Sequence, residues 1–307
     1  MKNRLSSKPI RFAIIALASG HLASAGLHAA LLAYDDFAYE TGSTLITAGN
    51  GNGGTGWFGK WSGGGIATVE SSATAITYSS AGITYGGGNS MSISGSTGTQ
   101  NAATRAFSET TISNGSDIFF SFIVSVTGGT AGQAISASSF ISVSLLDSGF
   151  STASDNGIIL NGSFLGVRVA NTTKSTTDTL LYGKTYLVVG RFSGWNETTK
   201  TYQQTSVWLN PVSTDFTDTA SGTVVATTGY ASISVATSTG TGSDGYRGVT
   251  LRTNALGTNV YLFDDLRIGT TWDDVVIPNI PEPASTTAAL TIAALAATSA
   301  LVHRRHR

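Results

Sequence analysis

Four histidines stand in this chain, and their positions decide much of the available chemistry: His21 and His28 near the start, His303 and His306 at the end. Between residues 30 and 280 there is none, and the chain has no cysteine. That stretch therefore lacks Ser-His-Asp and Cys-His catalysis, histidine general-base chemistry and metals held by His or Cys. Lysine is sparse there too, at Lys60, Lys174, Lys184 and Lys200. Carboxylates remain. Hydrolysis by a carboxylate pair needs two Asp or Glu side chains about 5–10 Å apart. Glu40, Glu70, Glu109 and Glu197 stand at least 30 positions apart. Aspartate doublets occur at Asp35–Asp36, Asp264–Asp265 and Asp273–Asp274, but adjacent residues of a strand face opposite sides. The Gly-rich run at 49–56 precedes neither a helix nor a Lys-Ser/Thr pair, so it is no phosphate loop. The inventory predicts a domain that binds and does not catalyse.

The elements that must position these residues read as strands. Phe140-Ile141-Ser142-Val143-Ser144-Leu145-Leu146 alternates apolar with polar, as do 165–169 and 202–209. Runs at 118–126, 186–192 and 260–268 are rich in β-branched and aromatic residues, and Gly, Ser, Thr, Asn and Asp separate them. No stretch of the body keeps a helical apolar period for three turns. Only 11% of the 307 residues are charged, well below the usual quarter or so, yet 41% are apolar, enough for a core. The reading is an all-β antiparallel sandwich over residues 30–277, in one domain; that its first and last strands are adjacent is implied by the fold resemblance given below.

The two ends carry a different message. Lys2, Arg4, Lys8 and Arg11 precede the apolar run Phe12–Ala18 and the small-residue site Ala23-Ser24-Ala25. This is the layout of a secretory signal peptide, assigned to residues 1–29 with cleavage between Ala25 and Ala33. At the other end, residues 284–302 are uncharged and long enough for a transmembrane helix. Pro281, Glu282 and Pro283 precede this span, and Arg304, Arg305 and Arg307 follow it. Basic residues stay on the cytoplasmic side, which places the body outside.

Pro-Glu-Pro, a weak apolar span and a terminal arginine cluster, in that order, resemble the PEP-CTERM sorting signal. The resemblance covers residues 281–307 and implies an exosortase-like sorting protease as partner, beside signal peptidase. It also implies a bacterial host that makes exopolysaccharide. Localisation would be the cell surface, outer membrane or extracellular matrix, after transient anchoring in the inner membrane. The body resembles LamG-like, concanavalin A-like jelly rolls, through residues 32–37, Asn52–Trp61, Val207–Pro211 and Phe263–Trp272. That resemblance implies a jelly-roll fold, among whose members are glycosidases with carboxylates alternating along one strand, a pattern absent here.

It also implies a hard cation. If Val260, Leu262, Leu266 and Ile268 face the core, Asp264 shares their side, and Asp35 and Asp36 lie on the neighbouring first strand. These three form the candidate calcium set. An arginine or backbone N–H groups are the other partners that a buried carboxylate accepts. For carbohydrate, Trp57 and Trp61 in the Gly-rich loop are the candidate contacts; covering the end of the sandwich is the other role open to them. Residues 30–283 hold 18 acids against 10 bases, so nucleic acid is an unsuited partner. The expected function is an exported, non-enzymatic surface or matrix protein associated with exopolysaccharide. A lectin-like carbohydrate-binding module and a glycoside hydrolase are the alternatives.

Overall fold

The computed structural model describes residues 31–46, 53–63, 67–108, 115–136, 139–147, 157–169, 172–212, 215–217, 223–224, 229–234 and 246–276. The signal segment and the whole sorting tail, with their expected helices, lie outside the described residues. In chain order the strands begin with β1 (Ala33–Asp35), β2 (Trp57–Ser62), β3 (Thr68–Ser72), β4 (Thr77–Ser80), β5 (Ile83–Gly86) and β6 (Ser90–Ser94). They continue with β7 (Gln100–Phe107), β8 (Ile118–Thr127), β9 (Phe140–Asp147), β10 (Gly157–Asn161), β11 (Phe164–Val169), β12 (Thr172–Thr179) and β13 (Thr185–Asn196). Then come β14 (Thr201–Leu209), β15 (Phe216–Thr217), β16 (Thr223–Val224), β17 (Tyr230–Ser234), β18 (Tyr246–Asn254), β19 (Val260–Gly269) and one short helix, α1 (Trp272–Val275).

Two antiparallel sheets face each other. The eight-stranded sheet runs β17-β14-β13-β8-β19-β6-β3, with β1 also paired to β19; the seven-stranded sheet runs β12-β11-β10-β9-β18-β7-β2. The first and last strands are neighbours as expected, with Ala33 opposite Ile268 and Asp35 opposite Leu266.

The two sheets differ in what covers their outer faces, and the sequence shows why. Strand β9 alternates cleanly: Ile141, Val143 and Leu145 enter the core between the sheets, and Ser142 and Ser144 turn away. Strand β8 is buried along nearly its whole length. Its Phe120, Phe122, Val124 and Val126 enter the central core, while Phe119 and Ile123 enter a second cluster on the far side. The hairpin β4–β5, residues of α1 and Phe216 supply that second cluster, where Trp208 and Trp272 pack at 5.2 Å. A strand covered on both faces has no reason to alternate, so its near-continuous apolar run is what physics requires.

Strand β19 departs from simple alternation. Tyr261 and Phe263 face the central core, and so do Leu266 and Ile268, so the parity changes between them. A register shift against β8 lies between Asp264 and Arg267, and Asp265 has φ 53, in the left-handed region. This β-bulge inserts one residue and re-aims its neighbours. The expectation that Val260 and Leu262 share the core side with Leu266 and Ile268 is thereby corrected, since Leu262 belongs to the outer cluster.

One ion pair bridges the sheets. Asp35 of β1 and Arg105 of β7 are both buried, with Nη1 2.5 Å from Oδ2. The same Asp35 oxygen accepts from Tyr39 Oη at 2.6 Å and Trp61 Nε1 at 2.8 Å, and Oδ1 accepts from Phe37 N at 2.9 Å. Arg105 spends its other donors on the Gly59 carbonyl at 3.0 Å and the Gly53 carbonyl at 2.8 Å. The Gly-rich loop that provides those carbonyls lies directly on β1: a Cβ at Gly54 would stand 2.1 Å from the Tyr34 carbonyl, and one at Gly56 1.9 Å from that of Leu32. Only glycine permits that approach, and both residues also have φ near +76° (75 and 77).

Removing one partner of this pair leaves the other charged and buried, which costs about 3–5 kcal/mol, whereas replacing both by apolar residues often costs little. Asp35→Ala and Arg105→Ala should each lower stability by that amount in denaturant titrations. The double variant Asp35→Leu/Arg105→Met should lose less than the sum of the two single losses. Simple additivity would show that the pair is not coupled.

Candidate functional site

Asp35 is thus half of an ion pair, the arginine alternative for a buried carboxylate. Burial is the largest influence on its carboxyl and pushes its pKa up, against the hydrogen bonds of Tyr39 and Trp61 and the charge of Arg105. The structure places Trp57 and Trp61, the expected carbohydrate contacts, in the same cluster. Trp61 is 0% exposed, and its indole N–H is committed to Asp35. Trp57 is half-buried; the Arg105 guanidinium lies 4.9 Å over its ring, Phe107 stacks on it at 5.7 Å, and its N–H donates to the Tyr34 carbonyl at 2.9 Å. Both tryptophans wall in the ion pair.

On the far side of β1 the bulge of β19 opens a small cavity of about 210 Å³, lined by Tyr34, Asp36, Ala38, Gly86, Gly88, Asp264 and Asp265. Adjacent aspartates that alternation would send to opposite sides thus line one cavity, with Asp36 a third acid at its wall. Asp265 is fully engaged: Oδ1 accepts from Tyr34 Oη at 2.8 Å and Arg267 Nη2 at 3.4 Å, and Oδ2 from Gly86 N at 2.5 Å. Burial and the neighbouring Asp265 push the Tyr34 hydroxyl well above the usual phenol range. Asp264 differs. It is 1% exposed, Oδ1 accepts only from the Asp265 N–H at 2.8 Å, and Oδ2 has no partner. Burial raises its pKa to about 8, with the nearby aspartates adding to the shift.

The calcium implied by the sequence resemblance can be tested on this cavity. An orphaned, buried carboxylate oxygen and a second acid at the wall are the oxygen donors that a hard cation takes. Asp264 and Asp36 are the side chains that would hold it. Among the described residues no group of three or more His, Asp or Glu stands ready as a metal site, so water would complete any coordination shell.

The second candidate surface is the outer face of the seven-stranded sheet, on which no second apolar cluster of the described residues packs. Register defines its rows. Thr173, Arg168, Gly157, Ser144, Thr250, Thr104 and Ser62 stand side by side across all seven strands. A neighbouring row holds Ser175, Gly166, Ile159, Ser142, Arg252 and Asn101, and the next one Thr179, Phe164, Asn161, Phe140 and Asn254. The middle of this face is a floor of small residues, of which Ser142, Thr250 and Ile159 are buried. Phe164 rises from it at 48% exposure, with Asn161 exposed beside it and Phe140 half-exposed. The alternation of β9 announced this face, but its key residues, Arg168, Arg252, Phe140 and Phe164, come from strands that only the sheet order brings together. The sorting residues Pro281, Glu282, Pro283, Arg304, Arg305 and Arg307 lie outside the described residues.

No family model matches the chain, and no curated protein matches it. Solved structures give distant likenesses. The endo-β-1,4-glucuronan lyase of the fungus Trichoderma reesei is 14% identical, with 71% of this chain and 98% of that one covered and a TM-score of 0.41. The cellulose induced protein Cip1 is 15% identical over 78% and 97%, with a TM-score of 0.40. The CBM22-1 xylan-binding domain of Paenibacillus barcinonensis Xyn10C is 13% identical over 78% and 94%, with a TM-score of 0.34.

The Asp264 proton makes a pH prediction. The fold keeps it up to about pH 8, while an unfolded chain releases it near pH 3.9. The unfolded state binds fewer protons in between, so stability falls as pH rises from about 4 to about 8, at a limiting slope of about 1.4 kcal/mol per pH unit. In chelator, Asp264→Asn should flatten that slope in denaturant titrations and exceed wild-type stability at pH 8. An unchanged slope would refute the assignment. Adding millimolar calcium should raise the Tm of wild type, and Asp264→Asn and Asp36→Asn should each lose that rise. A rise retained in both variants would place the cation elsewhere.

Proposed function

We propose that this protein is an exported, non-enzymatic, polysaccharide-binding protein of jelly-roll type that is sorted by its C-terminal tail and held in exopolysaccharide. The observation that carries the binding reading is the outer face of the seven-stranded sheet, on which no second apolar cluster of the described residues packs and from which Phe164 rises exposed. Hydroxyl and amide side chains run across its strands, with two phenylalanines rising beside them. Extended glycans bring hydroxyls along their edges and weakly apolar C–H faces, and such a surface answers both. Between residues 30 and 280 the sequence holds no histidine and no cysteine. Export and sorting rest on the signal-like start, the Pro281-Glu282-Pro283 motif and the Arg304, Arg305 and Arg307 cluster. Calcium at Asp264 and Asp36 would have a structural part, tying β1 to β19.

Purified protein should co-sediment with exopolysaccharide from its host without releasing reducing ends from it. Ser144→Trp, which puts a large ring on the floor of the face, should abolish co-sedimentation while Tm stays within a few degrees. Binding that survives this change would move the site elsewhere, and reducing-end release lost on a single Asp or Glu substitution would favour the hydrolase. Mass spectrometry of the surface-bound protein should find a chain that ends near Pro283; intact Ala284–Arg307 would contradict processing.

A further inference from the structure

We propose that the hairpin β4–β5 is a strap over the Asp264 cavity, and that a hard cation on Asp264 and Asp36 controls it: the cation holds the strap shut, and without the cation the strap opens locally from the eight-stranded sheet. This rests on the fit of that cavity to calcium and goes beyond it, from a structural tie to a device that responds to the cation.

Attachment is the first argument. The hairpin joins the ladder of neither large sheet: β4 and β5 pair with each other, Thr77 opposite Gly86 and Ser80 opposite Ile83. Its Ile76, Tyr78, Ile83 and Tyr85 belong to the second apolar cluster, with Phe119 and Ile123 of β8. Two hydrogen bonds add to that packing. Tyr85 Oη donates to the Val275 carbonyl, and Gly86 N donates to Asp265 Oδ2 at 2.5 Å. An element without ladder bonds to its neighbours opens at lower free energy than a central strand. Gly86, Gly87 and Gly88 lead from it toward β6, the first two with φ 78 and 111, and such a run absorbs the backbone change that opening needs.

Placement is the second. Asp264 stands opposite Ile123 across the β19–β8 ladder, and cross-strand partners share a face. Ile123 enters the outer cluster, so Asp264 is directed to that same side, beneath the hairpin. Gly86 sits on this pair: a Cβ there would stand 2.5 Å from Ile123 Cδ1 and 2.2 Å from the Ile76 carbonyl. Gly86 and Gly88 line the cavity together with Asp264 and Asp36. Asp264 is 1% exposed and its Oδ2 has no partner, while Ala38, Gly86 and Gly88 are the exposed residues of the lining. The way to that oxygen therefore runs past the root of the strap. Asp265, the third acid of the lining, is the one that holds Gly86 N. A cation between these acids favours the state that keeps them together, which is the shut one.

Hydrogen exchange of the full-length protein, read by mass spectrometry in chelator and in calcium, tests this. In chelator the amides of residues 77–86 should exchange faster than those of β8, because the hairpin opens by itself. Opening that releases the cation is suppressed by its mass action, so calcium at about ten times its Kd should slow the hairpin about tenfold. Edge strand β12 of the other sheet, whose openings keep the cation, should be unchanged. Asp264→Asn should abolish the calcium difference. Tyr85→Phe removes the bond to Val275 and no cation donor, so it should speed hairpin exchange in both conditions and keep the difference. A calcium-dependent Tm with hairpin exchange that calcium does not slow, or that is never faster than that of β8, would overturn the strap and leave the cation site standing. No rise in Tm and no change in exchange would overturn both.

Discussion

The buried pair of Asp35 and Arg105 is the constraint on which the arrangement of this protein depends. It joins β1, which belongs to the eight-stranded sheet through β19, to β7 of the seven-stranded sheet. Two charges removed from water are costly unless every remaining donor and acceptor is met. Here the cost is offset by Tyr39, Trp61, the Phe37 N–H and the carbonyls of Gly53 and Gly59. Each of those groups is thereby held in place: the loop must lie on β1, its glycines must take the left-handed conformation, and both tryptophans must turn inward. In a chain this poor in charge, one such pair specifies which edge of which sheet closes on which strand.

The same pair decides what the neighbouring acids are left to do. Because Asp35 turns toward Arg105, Asp36 turns the other way, toward the bulge of β19. The bulge then presents Asp265 to Tyr34 and Gly86 and leaves one oxygen of Asp264 without a partner. A closed, fully satisfied ion pair and an open, unsatisfied carboxylate cavity thus sit on opposite sides of one short strand. The first is a device for folding. The second holds a proton or a cation, and its stability depends on which.

Much of this was legible in the sequence and some was not, for identifiable reasons. The all-β class and the strand at 140–147 follow from alternation and β-branched runs, the adjacency of the two ends from the jelly-roll resemblance, and the structure shows them. The outer cluster over the eight-stranded sheet was not legible, because a strand buried on both faces carries no parity to read. Its effect reached the site: Val260 and Leu262 seemed to share a side with Leu266 and Ile268, and the bulge between them hid in an Asp-Asp doublet inside an apolar strand. Trp57 and Trp61 look like exposed loop aromatics from their glycine-rich surroundings. Their inward turn depends on Arg105, more than forty positions away, and no local pattern encodes that contact. Rows such as Phe164–Asn161–Phe140 join strands whose order is set only by the sheet.

That order also gives the domain a direction. The last described residues, through α1 to Val276, pack into the cluster on the outer side of the eight-stranded sheet, with Trp272, Val275 and Val276 against Phe119 and Trp208. The face with Arg168, Arg252 and Phe164 is the outer side of the other sheet. Two packed sheets stand roughly 10 Å apart with their outer faces directed oppositely. The chain therefore leaves the sandwich from the side opposite the proposed glycan face. Were the protein held at its C-terminal end, as proposed, the seven-stranded sheet's outer face would lie on the side away from Val276. The two sheets, built from similar strands, thus differ in what packs on their outer faces: β4–β5, α1 and Phe216 cover the eight-stranded sheet, and no such cluster of the described residues lies on the seven-stranded one.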